Sequence, residues 1–320
     1  MNITILDKSS LGSDTPINAL NKFGKVDCYD STENSLIIER CIESDVIILN
    51  KVKITADIIN SLPKLKLICV FATGYDNVDV VAAGKKGVAV CNVPGYSSES
   101  VALFTVSTAL ALITHLREYS DFVSSGEYSK SGVPNRLIPV YHEIAGKTWG
   151  IVGYGGIGST VGRIATALGA RIIVNKRNPV SDVRCVDIET LCRESDIITL
   201  HCPLNDQTRE LISAPMIEKM KDGVIIVNSA RGGVVNENDV RDAVQSGKIG
   251  GFGSDVYTTE PFGEEHPYYT LLGDPRVILT PHAAWGAYEA RVRCMNIVVD
   301  NIEAFISGKT LNRVDKPRQN

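Results

Sequence analysis

Thr148-Trp-Gly-Ile-Val-Gly153-Tyr-Gly155-Gly-Ile-Gly158 decides how this chain folds. The run Thr148–Val152 reads as a buried strand. The residues after Gly158 place Val161, Ile164, Ala165 and Leu168 at helical spacing. Glycines between a strand and a helix form the fingerprint of a dinucleotide-binding turn. Gly153 permits the tight turn, Gly155 lets the backbone approach a pyrophosphate, and Gly158 lets the helix lie close on the sheet. Backbone N–H groups of Gly156, Ile157 and Gly158 at the helix start would then hold the diphosphate.

The next strand, Arg171–Val174, runs into Asn175-Lys176-Arg177-Asn178-Pro179. An acid commonly stands at this point and accepts a hydrogen bond from the ribose 2′-hydroxyl of NAD. Here no carboxylate appears before Asp182, and two cations stand in its place. Arg177 can pair bidentately with a 2′-phosphate, with Lys176 as a point charge and Asn178 beside them, so NADP is the expected cofactor and NAD a possible one.

Three further segments carry reactive side chains just past expected strands. Asn228-Ser-Ala-Arg231-Gly-Gly follows Val224–Val227, Asp255-Val-Tyr-Thr-Thr-Glu260-Pro261 follows a strand ending at Ser254, and Thr280-Pro-His282 follows Val277–Leu279. In an open parallel sheet all carboxyl ends face one edge, so Arg231, Glu260 and His282 are expected to converge there. The trio suits a 2-keto acid and its 2-hydroxy product. His282 would supply the proton for the new alkoxide, and Glu260 would stabilise the imidazolium and fix its tautomer. Arg231 would hold the substrate carboxylate and polarise the carbonyl. His115 and His142 read as structural, His201 as facing the cofactor edge, and His266 as solvated.

The remaining chain fits this frame. At 320 residues, two domains are expected. Apolar residues make up 44%, which excludes overall disorder, and a net charge of −4 argues against nucleic acid as the main partner. Strands are expected at Ile3–Leu6, Val46–Leu49, Leu65–Phe71 and Val88–Cys91, with helices at Thr32–Glu43, Thr55–Ser61 and Val78–Lys86. A long helix should cover Ser98–Leu116 and a polar loop Ser124–Pro139. A last helix over Ala287–Ile306 puts Cys294, Val298, Ile302, Phe305 and Ile306 on one stripe. The eight cysteines are scattered, most in apolar runs, so neither a disulfide framework nor a metal is expected. The N-terminus reads as a strand rather than a signal peptide. No apolar run is long enough to span a bilayer, and a reducing cytoplasm is the expected setting, with no membrane partner.

Together the segments Ala72-Thr-Gly-Tyr-Asp-Asn-Val-Asp79, Gly153–Gly158, Leu200-His-Cys-Pro-Leu204 through Thr208, Asn228–Gly233, Asp255–Pro261 and Pro281-His282 make the chain resemble the D-isomer-specific 2-hydroxyacid dehydrogenase family over nearly its whole length. Tyr96–Val101 and Pro281–Trp285 look most like the glycerate dehydrogenase and hydroxypyruvate–glyoxylate reductase branch. The resemblance implies two doubly wound α/β parallel-sheet domains. Residues 1–97 plus 286–320 would form a flavodoxin-like substrate domain and 98–285 a Rossmann NAD(P)-binding domain, with substrate held in the cleft. It implies that Arg231, Glu260 and His282 are catalytic, and that Thr73, Gly74 and Tyr75 supply backbone N–H groups to the substrate carboxylate. It also implies that His201, Pro203, Thr208, Ala230, Asp255 and Thr105 line the coenzyme site, and that the enzyme is a homodimer. The chain departs from the family at Lys176, which replaces the ribose-binding acid, and at Gly156, which replaces a bulkier residue. Leu103-Phe104 replaces a more polar pair. Thr73 stands where phosphite-oxidising relatives have Lys. The expected function is thus an NADPH-preferring reductase of hydroxypyruvate or glyoxylate. The alternatives are another D-2-hydroxyacid dehydrogenase, for lactate, phosphoglycerate or a larger keto acid, and a non-catalytic dinucleotide-sensing protein. Phosphoglycerate enzymes often add a regulatory domain, which is not expected here.

Overall fold

A computed structural model describes residues 1–315 and separates the chain into two compact units, Met1–Ser97 with the segment from Gly286 onward, and Ser98–Trp285.

The first unit is built on five parallel strands, β1 (Asn2–Ile5), β2 (Lys25–Cys28), β3 (Val46–Leu49), β4 (Leu67–Val70) and β5 (Ala89–Cys91), in the order β2-β1-β3-β4-β5. The central strands β3 and β4 are buried at every residue, as helices on both faces require. Local chemistry punctuates the helices. Thr55 and Asp79 cap Ala56–Ser61 and Val80–Lys86 by accepting N–H groups, and Gly87, in the left-handed region, ends the second. Asp7, just past β1, is buried, and its carboxylate accepts the N–H groups of Asn50, Lys51 and Val52 after β3. The Asn77 carboxamide donates to the carbonyls of Asn50 and Val52.

The second unit carries seven parallel strands: β6 (Thr148–Val152), β7 (Arg171–Asn175), β8 (Arg184–Cys185), β9 (Ile197–Leu200), β10 (Val224–Asn228), β11 (Ile249–Ser254) and β12 (Val277–Leu279). Their order is β12-β11-β10-β9-β6-β7-β8. The order reverses direction at β6, where the glycine turn emerges. Trp149 on β6 is fully buried, and its indole N–H donates to Thr199 on β9 at 3.2 Å.

Several expectations change. β2 and β8 are additional edge strands. Both are partly exposed and short, so neither leaves an apolar run in the sequence. The helix expected over Thr32–Glu43 shrinks to a 3-10 turn and Ile37–Cys41, because the Thr32 hydroxyl donates to Leu6 beside β1 instead of capping. The helix expected through Leu116 stops at Ile113. His115 adopts φ 50°, and a new helix, Leu116–Ser124, leaves at 65°. The polar loop holds a short helix, Glu127–Ser131. On the last helix, Tyr288–Ile306, Cys294, Val298 and Ile302 are buried, but the terminal turn leaves Phe305 half-exposed and Ile306 exposed. Six of the eight cysteines are buried, with Cys28 exposed and Cys185 between. Among the described residues no single helix is long and apolar enough to cross a membrane.

Candidate active site

The register of the second sheet aligns Asn228 on β10 with Ser254 on β11 and Leu279 on β12. The three chemically active segments therefore leave three adjacent strands at one edge.

Each segment is held by a local device. After β10, Asn228 folds the turn back on itself: its Oδ1 accepts the Ala230 N–H at 3.1 Å and its amide donates to the Arg231 carbonyl at 3.0 Å. Arg231 is exposed, with Nη1 donating to the Ala230 carbonyl. Next to it Gly232 presses against the loop after β11, where a Cβ would lie 2.0 Å from the Tyr257 carbonyl carbon. Asp255, buried after β11, accepts the Thr280 hydroxyl at 2.7 Å and the N–H groups of Ala283 and Ala284 at 2.8 and 2.9 Å. Tyr257 donates its hydroxyl to the Thr280 carbonyl at 2.8 Å. These contacts clamp the His282 backbone at φ 52°, a region that non-glycine residues enter at a cost.

Glu260 Oε1 accepts the Tyr257 N–H at 3.0 Å, and Oε2 lies 2.7 Å from His282 Nδ1. Both side chains are about a third exposed. With Nδ1 turned to the carboxylate, Nε2 is the ring atom left for a ligand. Glu260 and His282 meet, and the exposed Arg231 follows β10, the strand beside β11, at the same sheet edge: a guanidinium, a carboxylate and an imidazole whose chemistry suits binding an acid and exchanging a proton.

The glycine turn is equally constrained. Gly153 has φ 89°, and a Cβ there would lie 2.6–2.8 Å from the Cys202 nitrogen and the His201 carbonyl. A Cβ on Gly158 would fall 2.1 Å from the Gly153 carbonyl oxygen. Gly155 faces open space, and helix Gly156–Ala167 starts there with first-turn N–H groups that no helical carbonyl can accept. Gly156 abuts the Ser98 hydroxyl, where a Cβ would approach within 2.9 Å. Lys176, Arg177 and Asn178 follow β7 directly, and among the described residues neither cation enters an ion pair. An open glycine face, a helix start and two unpaired cations fit a nicotinamide dinucleotide.

The other expected coenzyme residues divide. Thr105 is a correction: it is fully buried, donating to the Val101 carbonyl and paired with Ser229, and presents no surface to a ligand. Since the Thr105 proton goes to Val101, Ser229 donates to Thr105, and His201 Nδ1, 3.4 Å from the Ser229 oxygen, carries the ring proton. His201 Nε2 is then a buried acceptor without a protein partner, and burial pushes the imidazole pKa down to about 3. Thr208 staples its own loop, donating to the Pro203 carbonyl and accepting the Asn205 N–H. Ala230 is buried, and both Asp255 oxygens are committed to the His282 segment. His115 pairs with Glu118 and His142 is exposed. His266, expected to be solvated, is buried 3.0 Å from Glu237 under the ring of Phe262. Glu237 carried no signal in the sequence beyond that of an ordinary acid in a helix's first turn.

In the first unit, Thr73, Gly74 and Tyr75 follow β4. The Thr73 hydroxyl donates to the Val93 carbonyl, and Asn92 donates to the Thr73 carbonyl. Among the described residues the three backbone N–H groups donate to no acceptor. They could receive an anion. Among the described residues no cluster of His, Cys, Asp and Glu is arranged to hold a metal.

His201 carries a pH signature. Because its folded pKa lies far below the ordinary 6.5, the unfolded chain binds an extra proton between about pH 6.5 and 3, and stability is lost as pH falls through that window. His201→Asn should flatten the fall of the melting temperature between pH 6.5 and 4 relative to wild type. Parallel melting curves check this.

A family model described as D-isomer specific 2-hydroxyacid dehydrogenase, NAD binding domain, matches residues 106–284. The chain is 36% identical to a hydroxypyruvate reductase of Blautia hydrogenotrophica over 99% of its length and 100% of the relative. It is 37% identical to a glycerate dehydrogenase of Methylorubrum extorquens over 98% of each. Among solved structures it is similar to an acyclic imino acid reductase in complex with NADPH and D-Arg, at a TM-score of 0.85 and 30% identity, covering 98% of this chain and 100% of that one. With its Rossmann unit carrying an NAD(P) site and its acid–base pair at the sheet edge, the chain belongs to the D-isomer-specific 2-hydroxyacid dehydrogenase family and is an NAD(P)-dependent oxidoreductase that reduces small keto acids by hydride transfer.

Proposed function

We propose that this enzyme is an NADPH-preferring reductase of hydroxypyruvate or glyoxylate, yielding the D-2-hydroxy acid. The observation that carries the reading is the 2.7 Å contact of His282 Nδ1 with Glu260, at the same sheet edge as the exposed Arg231. The choice of small hydroxylated or unbranched keto acids is supported by the hydroxypyruvate reductase and glycerate dehydrogenase relatives. NADPH preference is supported by Lys176 and Arg177, which lack carboxylate partners among the described residues.

A bound nicotinamide supplies the hydride for the keto carbon. The chain's own residues do the rest. Arg231 binds the substrate carboxylate through paired N–H donors, which orients the carbonyl. His282 Nε2 hydrogen-bonds the carbonyl oxygen and gives it a proton as negative charge develops. Glu260 holds Nδ1 and cannot turn away, because its other oxygen is tied to the Tyr257 N–H. Gly153, Gly155, Gly156, Ile157 and Gly158 would hold the diphosphate, and Lys176, Arg177 and Asn178 the phosphorylated ribose. His201 Nε2, a neutral acceptor, faces this same edge from β9. In the first unit, taken by itself, the N–H groups of Thr73, Gly74 and Tyr75 are proposed to bind a carboxylate oxygen.

A homodimer is the proposed assembly. Leu116, Val123, Leu137, Ile138 and Val140 are exposed in the stretch that precedes β6, an apolar load that isolated chains seldom display. With all eight cysteines free, a reducing cytoplasm is the proposed setting.

Initial rates with glyoxylate, hydroxypyruvate and pyruvate, each with NADPH and NADH, should rank the first two substrates above pyruvate and NADPH above NADH. Replacing Lys176 with Asp and Arg177 with Ser should reverse the coenzyme order. A wild type that uses NADH as well as NADPH defeats the coenzyme reading. His282→Ala should lower kcat by about 100-fold or more, the scale of a lost general acid, and near-normal turnover would remove His282 from the mechanism. Sedimentation equilibrium should give about twice the 34.7 kDa chain mass.

A further inference from the structure

The turn that begins at Arg231 ends, six residues later, at a buried carboxylate. Gly232–Val234 form a 3-10 turn, Asn236 caps the following helix by accepting the Asp239 N–H, and Glu237 is the first residue of that helix, Glu237–Gln245. A first-turn acid is ordinarily solvated and interacts with the helix N-terminus. Glu237 instead turns inward, 7% exposed, toward the loop that carries Glu260. Its Oε1 accepts the Thr258 N–H at 3.0 Å, and its Oε2 accepts the Thr258 hydroxyl. Behind it, His266 Nε2 lies 3.0 Å away, and the His266 ring is covered by Phe262, with ring centroids 4.7 Å apart. His266 Nδ1 accepts the Tyr268 N–H, so the ring proton sits on Nε2, the atom nearest Glu237.

Thr258 is thus gripped from two sides. Glu237 holds its N–H and hydroxyl, and Gly232 presses its backbone against Tyr257 and Thr258 with no room for a Cβ. The neighbouring Tyr257 N–H is the donor that fixes Glu260 Oε1. We infer that Glu237 is a positioning residue, which locks the loop of residues 257–260 against the Arg231 turn so that Glu260 meets His282 and Arg231 in one arrangement. Its action runs through Glu260, and the inference rests on Glu260 serving as the partner of the proton donor.

Glu237→Gln tests this with almost no change of shape. One amide end must face either the Thr258 N–H or the His266 Nε2–H, so a donor meets a donor in a buried site and the loop must shift. The expected result with a 2-keto acid and NADPH is a fall in kcat of about 10-fold or more, the scale of a small misplacement of reacting groups. The KM for NADPH should stay within about 2-fold, because the coenzyme turn follows β6, which β9 separates from β10 in the sheet. In a Glu260→Gln background, adding Glu237→Gln should cost less than about 2-fold more, since the group being positioned is already gone. Thr258→Val, which removes only the hydroxyl, should show the same dependence on Glu260 with a smaller loss, and decides the matter if Glu237→Gln does not fold. A folded Glu237→Gln enzyme with unchanged kcat overturns the inference, as do losses that multiply independently across the two positions. If Glu260→Gln alone leaves turnover intact, the role of Glu260 falls and takes the inference with it. If Glu260→Gln is slow and Glu237→Gln is not, the inference alone falls.

Discussion

The Asp255 carboxylate is the constraint on which the rest of the site depends. A buried acid of this kind is tolerable only when its lone pairs are taken up, and here they are taken by one hydroxyl and two N–H groups of the segment that carries His282. The acid stands at the end of β11 and its donors follow β12, so the two strand ends are tied in a fixed relation before any ligand arrives. Without that tie, His282 would have no reason to remain at φ 52°, because the left-handed region offers a histidine no intrinsic gain. Strain at one residue is held by charge-assisted hydrogen bonds at its neighbours.

Around this clamp the sheet does what parallel sheets do. Registered strands deliver their following loops to a common edge, and short polar devices then aim them: Asn228 for the Arg231 turn, Tyr257 for Glu260, and Glu237 at the back of the same loop. The burial of His201 belongs to the same economy of charge. A histidine kept neutral beside the glycine turn adds a hydrogen-bond acceptor there without adding a cation.

The features legible in the sequence were those that local pattern controls. Apolar runs marked the buried strands, because every residue of β3, β4 and β9 faces protein. Glycine spacing marked the turn at β6, and position after a strand was enough to place Arg231, Glu260 and His282 at one edge of the sheet. Edge strands β2 and β8 were invisible because half-exposed strands need no apolar signature. Thr105 misled because a hydroxyl within an apolar helix looks the same whether it meets a ligand or a neighbouring serine. His266 and Glu237 misled for a deeper reason. Lying 29 residues apart, each reads as solvated, and only the tertiary fold removes both from water and matches one to the other.

The packing around the glycine turn has a thermodynamic side. Gly153 is wedged against the His201–Cys202 backbone, and Gly158 sits on the Gly153 carbonyl with no space between them. A loop hemmed in this way has little conformational freedom left to surrender. The entropy of ordering it was lost when the chain folded, not when a nucleotide docks, so contacts made there contribute to affinity nearly undiminished. The same tightness makes the cradle brittle: a single added methyl at either glycine pushes on main chain that cannot rotate aside.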